Sequence, residues 1–282
     1  MTRIAVIGPG AVGTAIAVAL SHQYPVTLLG RRNEALTFED RVDHTVRSVE
    51  VKALDAVTQP FDLIFIAVKT HQLEDILPHL PRLAHTQTTL VLAQNGYGML
   101  KYLQDYRAYQ AVVYISGQKQ GTHITHFRDY KLHLQADATT QQMAQLLSST
   151  PLTLVLEQDI QTAIWYKLIV NLGINTVTAL GRDTARVLQN VKMVQLCRNL
   201  LKEGAAVARA EGVHFDGDFV DSIMTIYDGY PDDMGTSMYY DTINQQPLEV
   251  DAIQGYIYQR AQAHQLDTPY LETVYTLLSY RP

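Results

Sequence analysis

Three polar side chains interrupt an otherwise apolar stretch between Ile164 and Leu180: Lys167, Asn171 and Asn175. At about 100° per residue, a four-residue step turns a helix by only about 40°, so the three fall within an arc of roughly 80°. Leu168, Ile169, Val170, Leu172, Ile174 and Val177 cover the other faces, the pattern of a helix buried nearly all round. A buried ammonium or amide without a partner is costly. A solvated stripe, or a structural carboxylate opposite Lys167, would meet that cost without any function. A lysine and two amides converging on an oxyanion or carbonyl would meet it too. The extent of the apolar surface favours the second reading, which needs a reactant supplied from elsewhere in the chain.

The N-terminus offers one. Arg3 to Ile7 is a short apolar run suited to a buried parallel strand. It is followed by Gly8-Pro9-Gly10-Ala11-Val12-Gly13 and a helix-like stretch from Thr14 to Ser21. A GxGxxG run between a strand and a helix is the pyrophosphate-binding turn of a dinucleotide fold. Its glycines permit a tight turn, close backbone approach and helix–strand packing, and the helix N-terminus supplies N–H donors. The same segment superficially resembles a signal peptide, but Gly8-Pro9-Gly10 breaks its apolar centre.

A second strand, Pro25 to Gly30, leads to Arg31 and Arg32 where a cofactor with a free ribose 2′-hydroxyl would call for a carboxylate. Two guanidiniums favour the 2′-phosphate of NADPH; the competing reading is a polar turn with Glu34 as a late ribose ligand. Between Asn33 and Gln59 the pattern is weak, with a strand expected only at Val46 to Val51. Phe61 to Val68 and Thr88 to Ala93 are further buried strands, with a helix from Gln72 to Leu80 closed by Pro78 and Pro81. Ligands bind outside the carboxyl ends of such strands, which brings Lys69 and Asn95 to the edge of the glycine turn. Lys69 could neutralise phosphate and Asn95 could reach nicotinamide or substrate, although Asn95-Gly96 is also an ordinary turn dipeptide.

Val112 to Ser116, Thr122 to His126 and Lys131 to Gln135 read as strands, the last two as an antiparallel pair turning at Phe127 to Tyr130. A helix at Thr140 to Leu147 and a strand at Leu152 to Leu156 complete an α/β region. Beyond Gln158 only helical patterns remain: the Lys167 helix, Ala185 to Glu211, Asp216 to Asp228, Pro247 to Gln265 and Pro269 to Ser279. The expected architecture is therefore an N-terminal Rossmann-type doubly wound sheet, residues 1–158, followed by an all-helical C-terminal domain, residues 159–282. The segment from Gly229 to Gln246 reads as a long loop suited to a lid or substrate wall. Pro247 as a first-turn proline would put Glu249 in an opening helical turn, where the dipole alone favours a carboxylate; Glu249 is also the acid partner that Lys167 would need.

Composition narrows the class. A chain of 282 residues, 47% hydrophobic and 18% charged, can bury a substantial core. A net charge of −6 without a basic block argues against a nucleic-acid partner. The single cysteine, Cys197, suits a reducing, cytoplasmic compartment, no apolar run other than the N-terminal one approaches a bilayer span, and the ten histidines show no metal-ligand spacing.

Taken in order, Gly8 to Gly13, Ala67-Val68-Lys69, Gln94 to Gly98, Trp165 to Asn171 with Asn175, Ser237-Met238 and Glu249 to Gly255 resemble the motifs of the ketopantoate reductase (2-dehydropantoate 2-reductase) family. The resemblance implies a Rossmann domain and a helical domain with the site in the cleft between them. It implies NADPH-dependent reduction of a 2-oxo acid in pantothenate biosynthesis. Lys167 would be the proton donor, and Asn171, Asn175 and Ser237 would hold the substrate's carboxylate and hydroxyl. Asn95 would bridge cofactor and substrate, while Lys69 and Arg31 would serve the 2′-phosphate. Glu249 would orient Lys167 or touch the cofactor, and Gly117 falls where the family keeps a small residue near the cofactor. A small-molecule substrate is the implied partner, and a homodimer is compatible with this reading. Gln246-Pro247-Leu248-Glu249-Val250-Asp251 replaces the family's usual Arg before Thr-Glu-Ile-Asp, Gln254 stands where Asn is usual, and Ala185 lies where some members place a substrate-binding Asn. These departures leave the chemistry in place and the choice of 2-oxo acid open. Two rivals remain, a β-hydroxyacid dehydrogenase, whose glycines ahead of the lysine are missing between Gln158 and Tyr166, and a non-catalytic NADPH-binding regulatory protein.

Overall fold

The computed structural model describes residues 2–280, and the chain resolves into two compact units. The first contains residues 2–95 and 99–160, the second residues 96–98 and 161–280.

The first unit is built on one sheet. Strand β1 (Ile4–Ile7) leads through the glycine turn into helix α1 (Ala11–Ser21), followed by β2 (Val26–Gly30), β3 (Glu34–Asp40) and β4 (Thr45–Ala53). After β5 (Phe61–Ile66) the chain runs through α2 (Leu73–Ile76) and α3 (Leu80–Leu83) into β6 (Ala84–Leu92), then β7 (Arg107–Gln110), β8 (Val112–Gln120) and β9 (His123–Gln135). Helix α4 (Ala138–Leu147) and β10 (Thr153–Glu157) close the unit. The order β10-β9-β3-β4-β2-β1-β5-β6-β7, with β8 beside β9, contains a parallel run β4-β2-β1-β5-β6-β7. Its connectivity is that of a dinucleotide-binding sheet whose strand order reverses at β1.

Strand alternation explains why β1 and β5 are apolar on both sides. Ile4 and Val6 join a core with Ile16, Leu20 and Leu132, while Ala5 and Ile7 join one with Leu73, Leu80 and Leu83.

Several elements depart from the sequence expectation. The unreadable stretch after Asn33 is an antiparallel hairpin, β3 against β4, which stands where a crossover helix would be; the strand expected at Val46 to Val51 lies within β4. The helix expected from Gln72 to Leu80 is a chain of short α and 3-10 turns from Thr70 to Leu83, because Pro78 and Pro81 each remove an N–H donor without ending the helical path. The strands expected at Thr122 to His126 and Lys131 to Gln135 are one continuous β9. The chain reverses at Gly121 rather than at Phe127 to Tyr130, where instead the β8–β9 register shifts and Asp129 takes φ +63°.

In the second unit helix α5 (Ile160–Gly181) is encased by α6 (Val191–Ala210), α7 (Phe219–Asp228), α8 (Ser237–Ile243), α9 (Gln254–Ala263) and α10 (Pro269–Ser279). Gly173 lets its neighbours close in: a Cβ there would lie 2.8 Å from the Tyr227 hydroxyl and 2.9 Å from Leu201. The Tyr227 hydroxyl donates to the Val170 carbonyl at 2.5 Å. Helix α5 is long and apolar enough to cross a membrane, but most of it is buried in the unit's core.

Here too the boundaries differ. The helix expected from Ala185 is a 3-10 turn (Ala185–Gln189) and then α6, because Asn190 Oδ1 accepts from the Lys192 N–H at 2.9 Å and starts a new helix. The segment from Gly229 to Gln246 is not one loop; it contains α8. Pro247 does not open a helix. A 3-10 turn at Val250–Ala252 precedes α9, and Ile253, at φ −111° and ψ −82°, breaks the helical path between them.

Candidate active site

The glycine turn has the geometry its spacing implies. Gly8 adopts φ +114°, and a Cβ there would sit 2.6 Å from backbone atoms of Ala67 and Val68. At Gly13 a Cβ would lie 2.0 Å from the Gly8 carbonyl oxygen, so this glycine is required by the packing of α1 on β1. At Gly10, the residue preceding α1, nothing lies within 4 Å of a built Cβ. Gly8 and Gly13 serve the fold; Gly10 leaves open space beside the N–H groups of Ala11, Val12 and the first turn of α1. A phosphate group fits that combination.

The surrounding side chains come from neighbouring strand ends. Pro9 packs on Gly30 at the end of β2, where a Cβ would lie 2.8 Å from Pro9 Cγ. Arg31 is exposed and paired loosely with Asp75 at 3.6 Å, which leaves its guanidinium available at the surface. Arg32 is held by Glu34 at 3.3 Å. Lys69 is half-buried in the turn after β5, and its N–H donates to Gln72 Oε1 at 3.3 Å. That turn is tied to the next strand end by Gln94, whose Nε2 donates to the Val68 carbonyl at 2.7 Å. Gln94 is buried and precedes Asn95, the last residue of its segment in the first unit.

Gly117 lies on β8 directly over α1: a Cβ there would meet the Thr125 carbonyl oxygen at 2.8 Å and Ala11 Cβ at 3.3 Å. Two residues further along the same face, Lys119 Nζ donates to the Pro9 carbonyl at 2.8 Å and stands 3.8 Å from Glu34 Oε1. Burial pushes the Lys119 ammonium below its ordinary pKa, the Glu34 carboxylate opposes that, and Arg32 adds to it. Sequence reading passed over Lys119. The available signal was its i, i+2 spacing from Gly117 on a strand.

In the second unit, Asn171 and Asn175 are 9% and 5% exposed, and Lys167 is half-buried one turn before Asn171. Just beyond Asn175, the same helix carries two buried threonines, Thr176 and Thr178, that fix its neighbours. Thr178 Oγ1 lies 2.7 Å from Thr236 Oγ1, and Gln254 Nε2 donates to Thr176 Oγ1 at 2.9 Å. Thr236 caps α8, accepting from the Tyr239 N–H at 3.1 Å, which places the exposed Ser237 in the first turn of α8. Glu249 is 7% exposed and begins the 3-10 turn ahead of α9. Tyr97 joins this group: its N–H donates to the Ala252 carbonyl at 2.9 Å and its hydroxyl accepts from Gln161 at 3.0 Å. Asn95 is thus covalently placed between Gln94, anchored at Val68, and Gly96 and Tyr97, anchored at Ala252.

Residues 4–138 match the family described as Ketopantoate reductase PanE/ApbA, and residues 159–281 match its C-terminal partner, Ketopantoate reductase PanE/ApbA C terminal. A 2-dehydropantoate 2-reductase from Mycobacterium tuberculosis is 33% identical over 288 residues, covering 99% of this chain and 97% of its own. The chain belongs to the ketopantoate reductase family. A dimeric ketopantoate reductase from Staphylococcus aureus superimposes with a TM-score of 0.95 at 54% identity, covering 98% of this chain and 97% of that one. A D-mandelate dehydrogenase solved with NADH and anilino(oxo)acetate shares the fold, with a TM-score of 0.87 at 21% identity over 98% of this chain and 97% of its own.

Proposed function

We propose that this ketopantoate reductase family member catalyses the NADPH-dependent reduction of 2-dehydropantoate (ketopantoate) to pantoate, and that it does so in pantothenate biosynthesis. The observation that carries the reading is the stripe Lys167, Asn171, Asn175 on a core helix, in a chain that is similar along its whole length to 2-dehydropantoate 2-reductases. When bound, the dinucleotide would supply hydride to the 2-oxo carbon. The first unit would hold it: backbone N–H groups at α1 would take the pyrophosphate, and Arg31 and Lys69 would take the 2′-phosphate. Gly117 lets β8 lie close over Ala11 at the cofactor's glycine turn, and Asn95 orients nicotinamide and substrate.

In the second unit Lys167 donates the proton to the oxygen that becomes alkoxide, and its charge stabilises that oxygen before transfer is complete. Asn171, Asn175 and Ser237 hold the substrate's carboxylate and hydroxyl. Glu249 keeps Lys167 oriented. A homodimer, in keeping with the dimeric Staphylococcus aureus relative, and a cytoplasmic location complete the reading.

A second substrate reading has one specific support. Ala185 is buried with its N–H bound to the Met234 carbonyl at 2.9 Å, so this position offers no polar side chain where some family members place an asparagine. Reduction of another branched 2-oxo acid on the same scaffold would fit that loss. NADPH oxidation measured with ketopantoate, 2-oxoisovalerate and pyruvate tests both readings. A kcat/KM highest for ketopantoate supports the first and a preference for 2-oxoisovalerate supports the second. Cofactor binding with no oxidation on any of the three would point to a regulatory protein.

A further inference from the structure

The β8 strand lays two residues against the glycine turn, and only Gly117 has a role in the reading above. Lys119, on the same face, reaches the carbonyl of Pro9 in the middle of that turn at 2.8 Å. Proline has no N–H, so Pro9 offers an anion only its carbonyl, which would repel it; the ammonium covers that oxygen. The same ammonium stands 3.8 Å from Glu34 Oε1, while the other oxygen of Glu34 receives Arg32 at 3.3 Å. Glu34 is therefore not positioned as a bare carboxylate available to a ribose hydroxyl; two cations already surround it. Pro9 packs on Gly30, so the whole cluster lies at the end of β2, where a dinucleotide fold seats the adenosine ribose rather than the pyrophosphate.

We propose that Lys119 is a cofactor-specificity residue that binds the adenosine 2′-phosphate alongside Arg31, and that Glu34 is its counter-charge, not a ribose ligand. This rests on the NADPH reading. A half-buried ammonium whose pKa burial already depresses gains from a dianion brought beside it, and the dianion replaces the Glu34 carboxylate at that ammonium.

The test is calorimetric titration of the full-length protein with NADPH and with NADH, for the wild type, Lys119→Met, Lys119→Arg, Glu34→Gln and Arg31→Ala, with thermal unfolding of each variant as the check on folding. Lys119→Met should weaken NADPH by about tenfold or more while NADH changes by less than about twofold, and Lys119→Arg should restore most of the loss. Glu34→Gln should tighten NADPH and leave NADH unchanged. Equal weakening of both cofactors in Lys119→Met would make Lys119 a brace of the glycine turn and overturn the assignment, as would weaker NADH binding in Glu34→Gln. If Arg31→Ala abolishes a wild-type preference for NADPH that Lys119→Met leaves intact, only the Lys119 assignment falls. If the wild type binds both cofactors equally, the 2′-phosphate reading falls first and carries this one with it.

Discussion

Thr178 on α5 and Thr236 at the start of α8 share a buried hydrogen bond of 2.7 Å, and the surrounding contacts fix its direction. The Thr178 hydroxyl donates to the Ile174 carbonyl at 2.8 Å, so the Thr236 hydroxyl must donate to Thr178 while its lone pair takes the Tyr239 N–H. One side chain thus caps α8 and tethers it to the Lys167 helix. Thr236→Val should cost about 1–2 kcal/mol of stability and raise the KM for substrate, with KM for cofactor unchanged, because Ser237 follows the tether. Thr236→Ser should behave as wild type. Steady-state kinetics with denaturant unfolding checks both, and a rise in cofactor KM alone would contradict the placement.

Gly10 and Gly13 make opposite predictions although both belong to one motif. Space is open at Gly10, so Gly10→Ala should fold normally yet weaken cofactor binding by about tenfold or more, since a methyl group fills the phosphate's approach. At Gly13 a Cβ would overlap the Gly8 carbonyl at 2.0 Å, so Gly13→Ala should lower the melting temperature first. Thermal unfolding with and without NADPH separates the two effects, and a destabilised Gly10→Ala would contradict the assignment.

Arg31 is exposed and only loosely held by Asp75, so it can be removed without disturbing the sheet. Arg31→Ala should raise KM for NADPH far more than for NADH, at unchanged kcat. Comparable effects on the two cofactors would count against a 2′-phosphate contact.

Asp40 makes the fold sensitive to acid. Burial pushes its carboxyl up, but the Tyr130 hydroxyl, the Val42 N–H at 2.8 Å and His126 Nδ1 at 3.1 Å outweigh burial and hold it below its ordinary value. A carboxyl depressed in the folded state adds stability that is present above the unfolded value, 3.8, and lost as pH falls through the lower folded one. Asp62 and Asp137 share the sign. Asp40→Asn should cost about 1–3 kcal/mol at neutral pH and shrink the loss that the wild type suffers below about pH 4. Urea unfolding at pH 7 and pH 3.5 measures it; an unchanged pH dependence would remove Asp40 from the account.

The glycine turn was legible because its three glycines, the strand before and the helix after agree, and α5 because a helical period holds for nearly its whole length. The β3–β4 hairpin was not. Glu34 to Asp40 mixes charged and apolar residues, and its pairing with β4 and β9 is a tertiary fact that local preference does not encode. The middle of β9 misled for the same reason: Phe127 to Tyr130 reads as a turn, yet β8 pairing carries the strand through it. Pro247 gave a helix-start signal, but residues 246–249 form no helix and α9 begins only at Gln254. Lys119 was hidden because a lysine near a strand end is unremarkable until the strand is known to cross the glycine turn.

The central claim is that the Lys167 ammonium delivers the proton that accompanies hydride transfer. Single-turnover mixing of NADPH-loaded enzyme with ketopantoate, following nicotinamide absorbance, isolates that step. For Lys167→Ala the account predicts a rate lower by about 10²- to 10⁴-fold with NADPH affinity unchanged. A near-normal rate in Lys167→Ala, with the cofactor bound as in the wild type, would contradict it.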